Sequence, residues 1–339
     1  MALATTLNTV TLSEMTDLVR REWKHTSEFF PRAARPLFIY DKIGDGNGNT
    51  KRYQEYDTET FADVKVEGNN FAKGKVATGY SKDMVATTFG KEIEITLEMR
   101  RYNRYSDVAA QITKLTEFYP NREELNLTHR FTFCTSSSYT DMNGNTVDVT
   151  VGDTNPLAYA THALKYSSTT YSNVVTGSPV FSEGSYEAAK LIGAYQIYNN
   201  FGQLRQMNFN TIVTSNDPST CRVVKQLLNS MADIDAAQSG VMNVYKDGTR
   251  HVILPWLPTT ATGAYDSTKR RWWFYLAAGQ GANGWQAYLG EFMASELKTP
   301  APGNNGEDIH NLNWTYASYG AHGIAILSGK GFIASTPTS

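Results

Sequence analysis

The stretch from Asp41 to Lys75 restricts this chain most, because it cannot bury itself. It carries seven acids (Asp41, Asp45, Glu55, Asp57, Glu59, Asp63, Glu67) and six bases (Lys42, Lys51, Arg52, Lys65, Lys73, Lys75), with glycine-rich runs at 44–50 and 68–74. Charges leave water only when each is paired, so a near-neutral mixture of this kind must face solvent or another surface of mixed sign. Its flanks read as strands. Leu37–Tyr40 opens the segment, and the 44–50 cluster marks a tight turn. Ala62, Val64 and Val66 alternate with Asp63, Lys65 and Glu67, and Ile93, Ile95, Leu97 and Met99 alternate with Glu92, Glu94, Thr96 and Glu98. A strict period of two predicts strands. The expectation is a long charged β-hairpin over 37–99, made to lie on a neighbour.

The remainder reads as mixed α and β. A capping box, Thr11 with Glu14, precedes Met15, Leu18, Val19 and Trp23 at helical spacing, followed by an arm containing Phe29, Phe30, Pro31 and Pro36. Packing on another copy and docking on its own domain are both open for this helix. Ser106 begins a long helix with Val108, Ile112, Leu115 and Phe118 or Tyr119 on one stripe. Pro120 allows one kinked helix or two consecutive ones. Asn143–Gly144 is a strong turn pair leading to Val147, Val149 and Val151. Ser185 is the expected cap of a helix ending at Gly202, and Asp217–Pro218 starts another with Val224, Leu227, Leu228 and Met231 on its face. Strands are expected at 207–213, 250–257, 271–277, 285–289 and 323–334.

Most chemistry is excluded by pattern. The six histidines never stand at metal-ligand spacing, and two cysteines, Cys134 and Cys221, make neither a disulfide framework nor a thiolate zinc site. Both read as buried free thiols, so the chain is expected in a reducing cytoplasm. Gly68–Lys75 has one residue too many for a phosphate loop, and Val76 stands where Ser or Thr must hold magnesium. The segments starting at Asp45 and Asp141 lack the sixth-position glycine and distal Glu of a calcium loop (Tyr56 and Gly152 stand there). Glu123 and Glu124 read as a solvated helix face, not a catalytic pair. Lys269–Arg271 before Trp272 reads as a charged turn feeding a buried strand. No cofactor, metal or catalytic residue is expected. A net charge of −2 supplies no global field for nucleic acid. No apolar run is long enough to span a bilayer, and no secretory signal is visible at the N-terminus.

The order of these parts resembles the major capsid protein of tailed bacteriophages, the Hong-Kong-97-like fold. Asn210–Ser215 with the helix Thr220–Asn229 is similar to the opening of that family's apical domain. Asn243–Gly248 with Arg250–Pro255 resembles a later stretch of it, and Trp314–Gly320 with Ser328–Ile333 resembles its closing strands. The resemblance spans essentially the whole chain. It implies an α+β fold: an N-terminal helix and arm (1–36), an extended hairpin or E-loop (37–99), and a peripheral domain with spine helix (100–204 and 316–339). The apical domain would be 205–315. It implies a structural, non-enzymatic shell protein that assembles with itself through hexamers and pentamers around double-stranded DNA in a virion built in a bacterial host. Scaffolding, portal and decoration proteins are the implied partners. With no room for a coiled scaffolding segment before Leu37, any scaffold would be a separate protein. The inter-subunit contacts expected are Asp57, Glu59, Asp63, Lys65, Glu67 and Lys73 on the loop, and Arg20, Arg21, Phe29 and Phe30 on the arm. The rival readings are an encapsulin-type nanocompartment shell of the same fold, and a cytoplasmic enzyme or carbohydrate-binding protein with an unusual polar hairpin.

Overall fold

The computed structural model describes residues 12–44, 46, 48–102, 105–230, 243–246, 248–278, 284–300 and 312–338. Thr11, Asp45, Asn47, Met231 and His310, and the side chains of Val108 and Ile112, lie outside the described residues. The first helix, α1 (Leu12–Phe29), docks on its own chain. Met15 and Val19 are buried with Ile95, Leu115, Trp314 and Tyr316.

Two four-stranded sheets carry the body. The first contains β1 (Ile39–Lys42), β4 (Thr87–Ile95), β12 (Ala287–Lys298) and β13 (Trp314–Ile326), in the order β1-β12-β13-β4. Only β1 and β12 run parallel. The second contains β9 (Phe209–Thr214), β10 (Arg250–Ile253), β11 (Trp273–Ala277) and β14 (Phe332–Ser335), in the order β10-β9-β11-β14. β11 is apolar throughout because both faces are covered. Phe274 and Leu276 join the main core with Phe131, Trp285 and Phe332. Trp273 and Tyr275 face the core under α4 (Glu183–Tyr195) and α5 (Pro218–Asn229).

Across the main core lies α3 (Tyr105–Thr132), which runs through Pro120 as one helix. Leu127 and Phe131 insert between the sheets. The short α2 (Leu97–Arg101) precedes it. The alternation at 93–99 had predicted strand through Met99, yet β4 stops at Ile95, because Thr96 Oγ1 accepts the Met99 N–H at 3.2 Å and starts a helical turn. α4 likewise differs from expectation. Its N-cap is Ser182, which exchanges hydrogen bonds with Ser185 at the third position, and it ends at Tyr195, not near Gly202. Asn199 Oδ1 accepts the N–H groups of Phe201 and Gln203 at 3.0 and 2.9 Å, an alternative to helix that the local sequence supplies.

The charged segment forms a separate two-stranded ribbon, β2 (Thr50–Thr58) with β3 (Val76–Val85). Ala62, Val64 and Val66 are not in a strand. They belong to an irregular tip, because among the described residues nothing pairs with or covers either face of that run. Smaller hairpins join β5 (Ser138–Thr140) to β6 (Thr146–Asp148), around the predicted Asn143–Gly144 turn, and β7 (His162–Ala163) to β8 (Thr170–Tyr171).

Candidate assembly surface

The ribbon is fastened along its whole length. At its root, Asp41 accepts from Lys51 and from the Tyr53 hydroxyl at 2.6 Å, and Tyr53 stacks on Tyr288 at 4.1 Å. Midway, Lys82 Nζ lies 2.6 Å from Asp148. At the far end stands a buried ionic cluster. Glu55 and Asp57, two residues apart on one strand face, are 3% and 7% exposed, and Lys330 is 4% exposed. Lys330 Nζ donates to Glu55 Oε1 at 2.7 Å and lies 3.9 Å from Asp57. Asn200 donates its side-chain amide to Glu55 and its backbone N–H to Asp57, both at 2.8 Å, and Arg205 approaches Glu55 at 3.9 Å. Two acids thus meet two bases and two amide donors, the condition under which buried charges are tolerated.

Further bonds close the cluster. Lys165 Nζ donates to the Gly79 carbonyl at 2.7 Å and the Tyr166 hydroxyl to that of Thr78 at 2.6 Å. Asn199 donates to the Thr58 carbonyl at 3.2 Å, and the Thr60 N–H to Gln203 Oε1 at 2.6 Å. Gly79 is required here by close approach: a Cβ at this position would sit 2.5 Å from Glu55 Oε2. Gly79→Ala should therefore cost about 1–3 kcal/mol of unfolding free energy, as overpacking does, measured by chemical denaturation.

Past Thr60 the fastening ends. Every residue from Thr60 to Val76 is exposed. Among the described residues, no hydrogen bond or ion pair links Phe61–Gly74 to anything outside the tip. Phe61, Val64, Val66, Phe71 and Val76 are 69%, 91%, 62%, 77% and 75% exposed, a concentration of apolar surface that marks an interaction site. Inside the tip, Lys65 Nζ lies 5.0 Å above the Phe71 ring.

The expected contact residues fall into two groups. Asp63, Lys65, Glu67 and Lys73 lie on this exposed tip, and Glu59 at its neck, where Glu59 and Lys75 are hydrogen-bonded. Asp57 does not belong with them, being committed to Asn200 and Lys330 within the subunit. Arg20, Arg21 and Phe29, expected on the arm, lie on α1 and are exposed, and Phe30, just after it, is half-buried. Arg20 reaches Asp17 at 4.0 Å.

The arm is held by a device that the sequence reading placed in solvent. Glu123 and Glu124 are 6% and 4% exposed. Glu124 accepts the backbone N–H groups of Ala33, Ala34 and Arg35 at 3.1, 2.8 and 3.2 Å. Glu123 pairs with Arg32 and Arg35 at 3.5 and 3.6 Å. Adjacent helical acids do point apart, but here the incoming arm covers both directions. Burial pushes the Glu123 carboxyl from 4.5 up to about 7, with Arg35 pulling against it. Between those values the folded chain holds a proton that the unfolded chain has released. The stabilisation from that proton is complete below pH 4.5 and lost as pH rises through about 7. Glu123→Gln should lack this decline when unfolding free energies are compared across the same window.

Other candidate groups resolve into packing. Cys134 and Cys221 are free and buried, and burial pushes the Cys134 thiol up. His322 lies between the Tyr119 hydroxyl and the Asn126 amide, both at 3.1 Å, and burial pushes it down to about 3, so it stays neutral. Lys269 and Arg270 pair with Asp266 and Asp217 in the turn before β11. Asp141 closes its own turn on the Asn143 and Asn145 N–H groups. Among the described residues, no group of His, Cys, Asp and Glu could hold a metal ion, and no helix is long and apolar enough to cross a membrane.

No family model and no curated protein sequence matches this chain. Solved structures do. The structure of Gordonia phage Cozz covers 89% of this chain and 85% of its own, with 13% identity and a TM-score of 0.51. This chain shares the fold of that phage structure. The cyanophage P-SCSP1u capsid covers 88% of this chain and 85% of its own at 12% identity and a TM-score of 0.48. The Ralstonia phage GP4 capsid covers 89% and 88% at 12% identity and 0.47. The fastened ribbon and its free tip fall within the 37–99 segment that the sequence reading set apart as a hairpin, and α3 covers the long helix expected from Ser106.

Proposed function

We propose that this chain is a major capsid protein. Copies associate through hexamers and pentamers into an icosahedral shell around double-stranded DNA, in a virion assembled in the bacterial cytoplasm. The observation that carries this reading is the apolar tip, held out by a buried ionic cluster on a chain with a capsid fold. An isolated subunit gains nothing from exposing two phenylalanines and three valines on a fastened stalk. A shell subunit buries them on a neighbour, where aromatic anchors supply most of an interface's energy.

On this reading α3 and residues 100–204 and 316–339 serve the peripheral region, with 205–315 as the apical region at capsomer centres. DNA is touched without sequence reading, since a net charge of −2 offers only local contacts. Scaffolding, portal and decoration proteins are partners of the assembly, not of a pocket.

Electron microscopy of the purified protein, with assays for nuclease-resistant DNA, tests the proposal. Closed shells protecting DNA are expected on co-expression with the packaging components. A stable monomer or dimer at micromolar concentration under every condition would sink the shell reading. Shells enclosing protein cargo and no DNA would replace the virion by a nanocompartment.

A further inference from the structure

The ionic cluster at the end of the ribbon brings together groups that can react with one another. Glu55, Asn200 and Lys330 come from three distant parts of the chain and are 3%, 0% and 4% exposed. Lys330 Nζ donates to Glu55 Oε1 at 2.7 Å, and Asn200 Nδ2 donates to Glu55 Oε2 at 2.8 Å. A primary amine and a carboxamide thus sit on the two oxygens of one buried carboxylate.

Both are fixed from behind. Asp57 accepts the Asn200 backbone N–H at 2.8 Å, and the Asn200 carbonyl accepts the Tyr166 N–H at 3.0 Å. The Lys330 N–H donates to Ser328 Oγ at 3.3 Å, in the turn between β13 and β14. Gly79 leaves room for the group, since a Cβ there would stand 2.5 Å from Glu55 Oε2 and 2.7 Å from Asn200 Nδ2. Burial, then Asp153 and Glu55, push the Tyr80 and Tyr171 hydroxyls up, so both phenols lie within range of the Glu55 charge. Tyr171 is itself 4% exposed. One polar atom is left over in this dry site: among the described residues, the buried Asn200 Oδ1 has no hydrogen-bond partner. Native structures rarely leave such an atom without a reason, and the ion pairing supplies none.

We propose that Lys330 and Asn200 of one subunit join in an isopeptide bond, with Glu55 moving the protons. Glu55 Oε1 takes a proton from Lys330 Nζ, leaving a neutral amine with a free electron pair. The amine attacks Asn200 Cγ and the Nζ–Cγ bond forms. The Cγ–Nδ2 bond then breaks, and Nδ2 leaves as ammonia with a second proton from the former amine, relayed by Glu55. Glu55 ends protonated, and its O–H can donate to Oδ1, the atom that lacks a partner beforehand. The step consumes no oxidant and needs no second copy. Holding amine and carboxamide on one carboxylate replaces an encounter in solution, and burial keeps water from competing for the carboxamide. The ion pair is present once the chain folds, and the bond forms from it afterwards. Charge effects of the cluster therefore belong to the freshly folded chain, and the bond adds a permanent tie beneath the ribbon.

Mass spectrometry of the purified full chain tests the bond. Protein held after folding should become lighter than its sequence by one ammonia. Trypsin should then release a branched peptide joining Leu191–Arg205 to the C-terminal segment that contains Lys330, uncut at that lysine. The branch is decisive, because the exposed Asn143–Gly144 turn can also lose ammonia by cyclising, without linking two peptides. In denaturing electrophoresis the looped chain should run ahead of the Lys330→Arg variant, which keeps a cation beside Glu55 but has no primary amine. Glu55→Gln should retain the full sequence mass. Should that variant fail to fold, Asn200→Asp gives a second readout: the same branched peptide, formed with loss of water in place of ammonia. A folded chain that keeps its full mass and is cut after Lys330 would overturn the bond, as would loss of ammonia without the branch.

Discussion

Replacing Phe61–Gly74 by a short glycine–serine turn will leave a folded, soluble subunit that no longer forms stable shells. The cut removes Phe61, Val64, Val66 and Phe71, each strongly exposed and without a hydrogen bond or ion pair to the described body. Burying such a side chain is worth about 1.5–3 kcal/mol. Losing four anchors at every inter-subunit contact removes more than a typical hot-spot cluster supplies. The fold should not suffer, because Glu59 and Lys75 already face each other at the neck and the ribbon is fastened below them. A wider cut over 41–91 would be a poorer test. It would take buried Met84 from the core and half of β4 from the first sheet. Circular dichroism and a denaturation midpoint close to that of the unmodified chain, with only small species by light scattering, are the expected measurements. Intact shells from the shortened chain would refute the role given to the tip.

The second large effect is expected at Lys330. Lys330→Met leaves Glu55 and Asp57 buried with the two Asn200 amide donors and, as the remaining cation among the described residues, Arg205 at 3.9 Å. Removing one partner of a buried ion pair typically costs about 3–5 kcal/mol, because the remaining charge stays desolvated. The cost should be local. Amide exchange should accelerate at Thr58, Gly79 and Asn200, where the ribbon meets the body, and much less in β11, which lies between two cores. Replacing Glu55 by Gln and Asp57 by Asn in the same chain removes the stranded charges and should recover most of the loss. A change below about 1 kcal/mol in the single variant would show that the cluster contributes little. Because the cluster directs the tip, the single variant should also assemble poorly even where its subunits remain folded.

Local signals carried much of the architecture. The Asp217–Pro218 start of α5, the Asn143–Gly144 turn, the apolar run of β11 and the long α3 were all legible, because each depends on neighbours in sequence. The order of parts also carried the resemblance to the capsid fold. Alternation misled at 62–66 and 97–99, where period two was present but a pairing partner was not. Burial of the charged groups was invisible for a related reason. Glu55 and Asp57 looked like two more charges on a polar hairpin, and Glu123 and Glu124 like a wet helix face. Lys330, between Gly329 and Gly331 and flanked by the apolar stretches 324–327 and 332–334, was the one local hint of a buried cation. The sequence by itself determined that residues 41–75 could not form a core of their own. Only the tertiary structure decided which charges the subunit neutralises internally. Glu55 and Asp57 meet Lys330, Asn200 and Arg205 across separations of more than 140 residues, and a carboxylate's surroundings are a property of the fold. What remained exposed after that pairing, the tip from Phe61 to Gly74, is the part of the hairpin left for a neighbour.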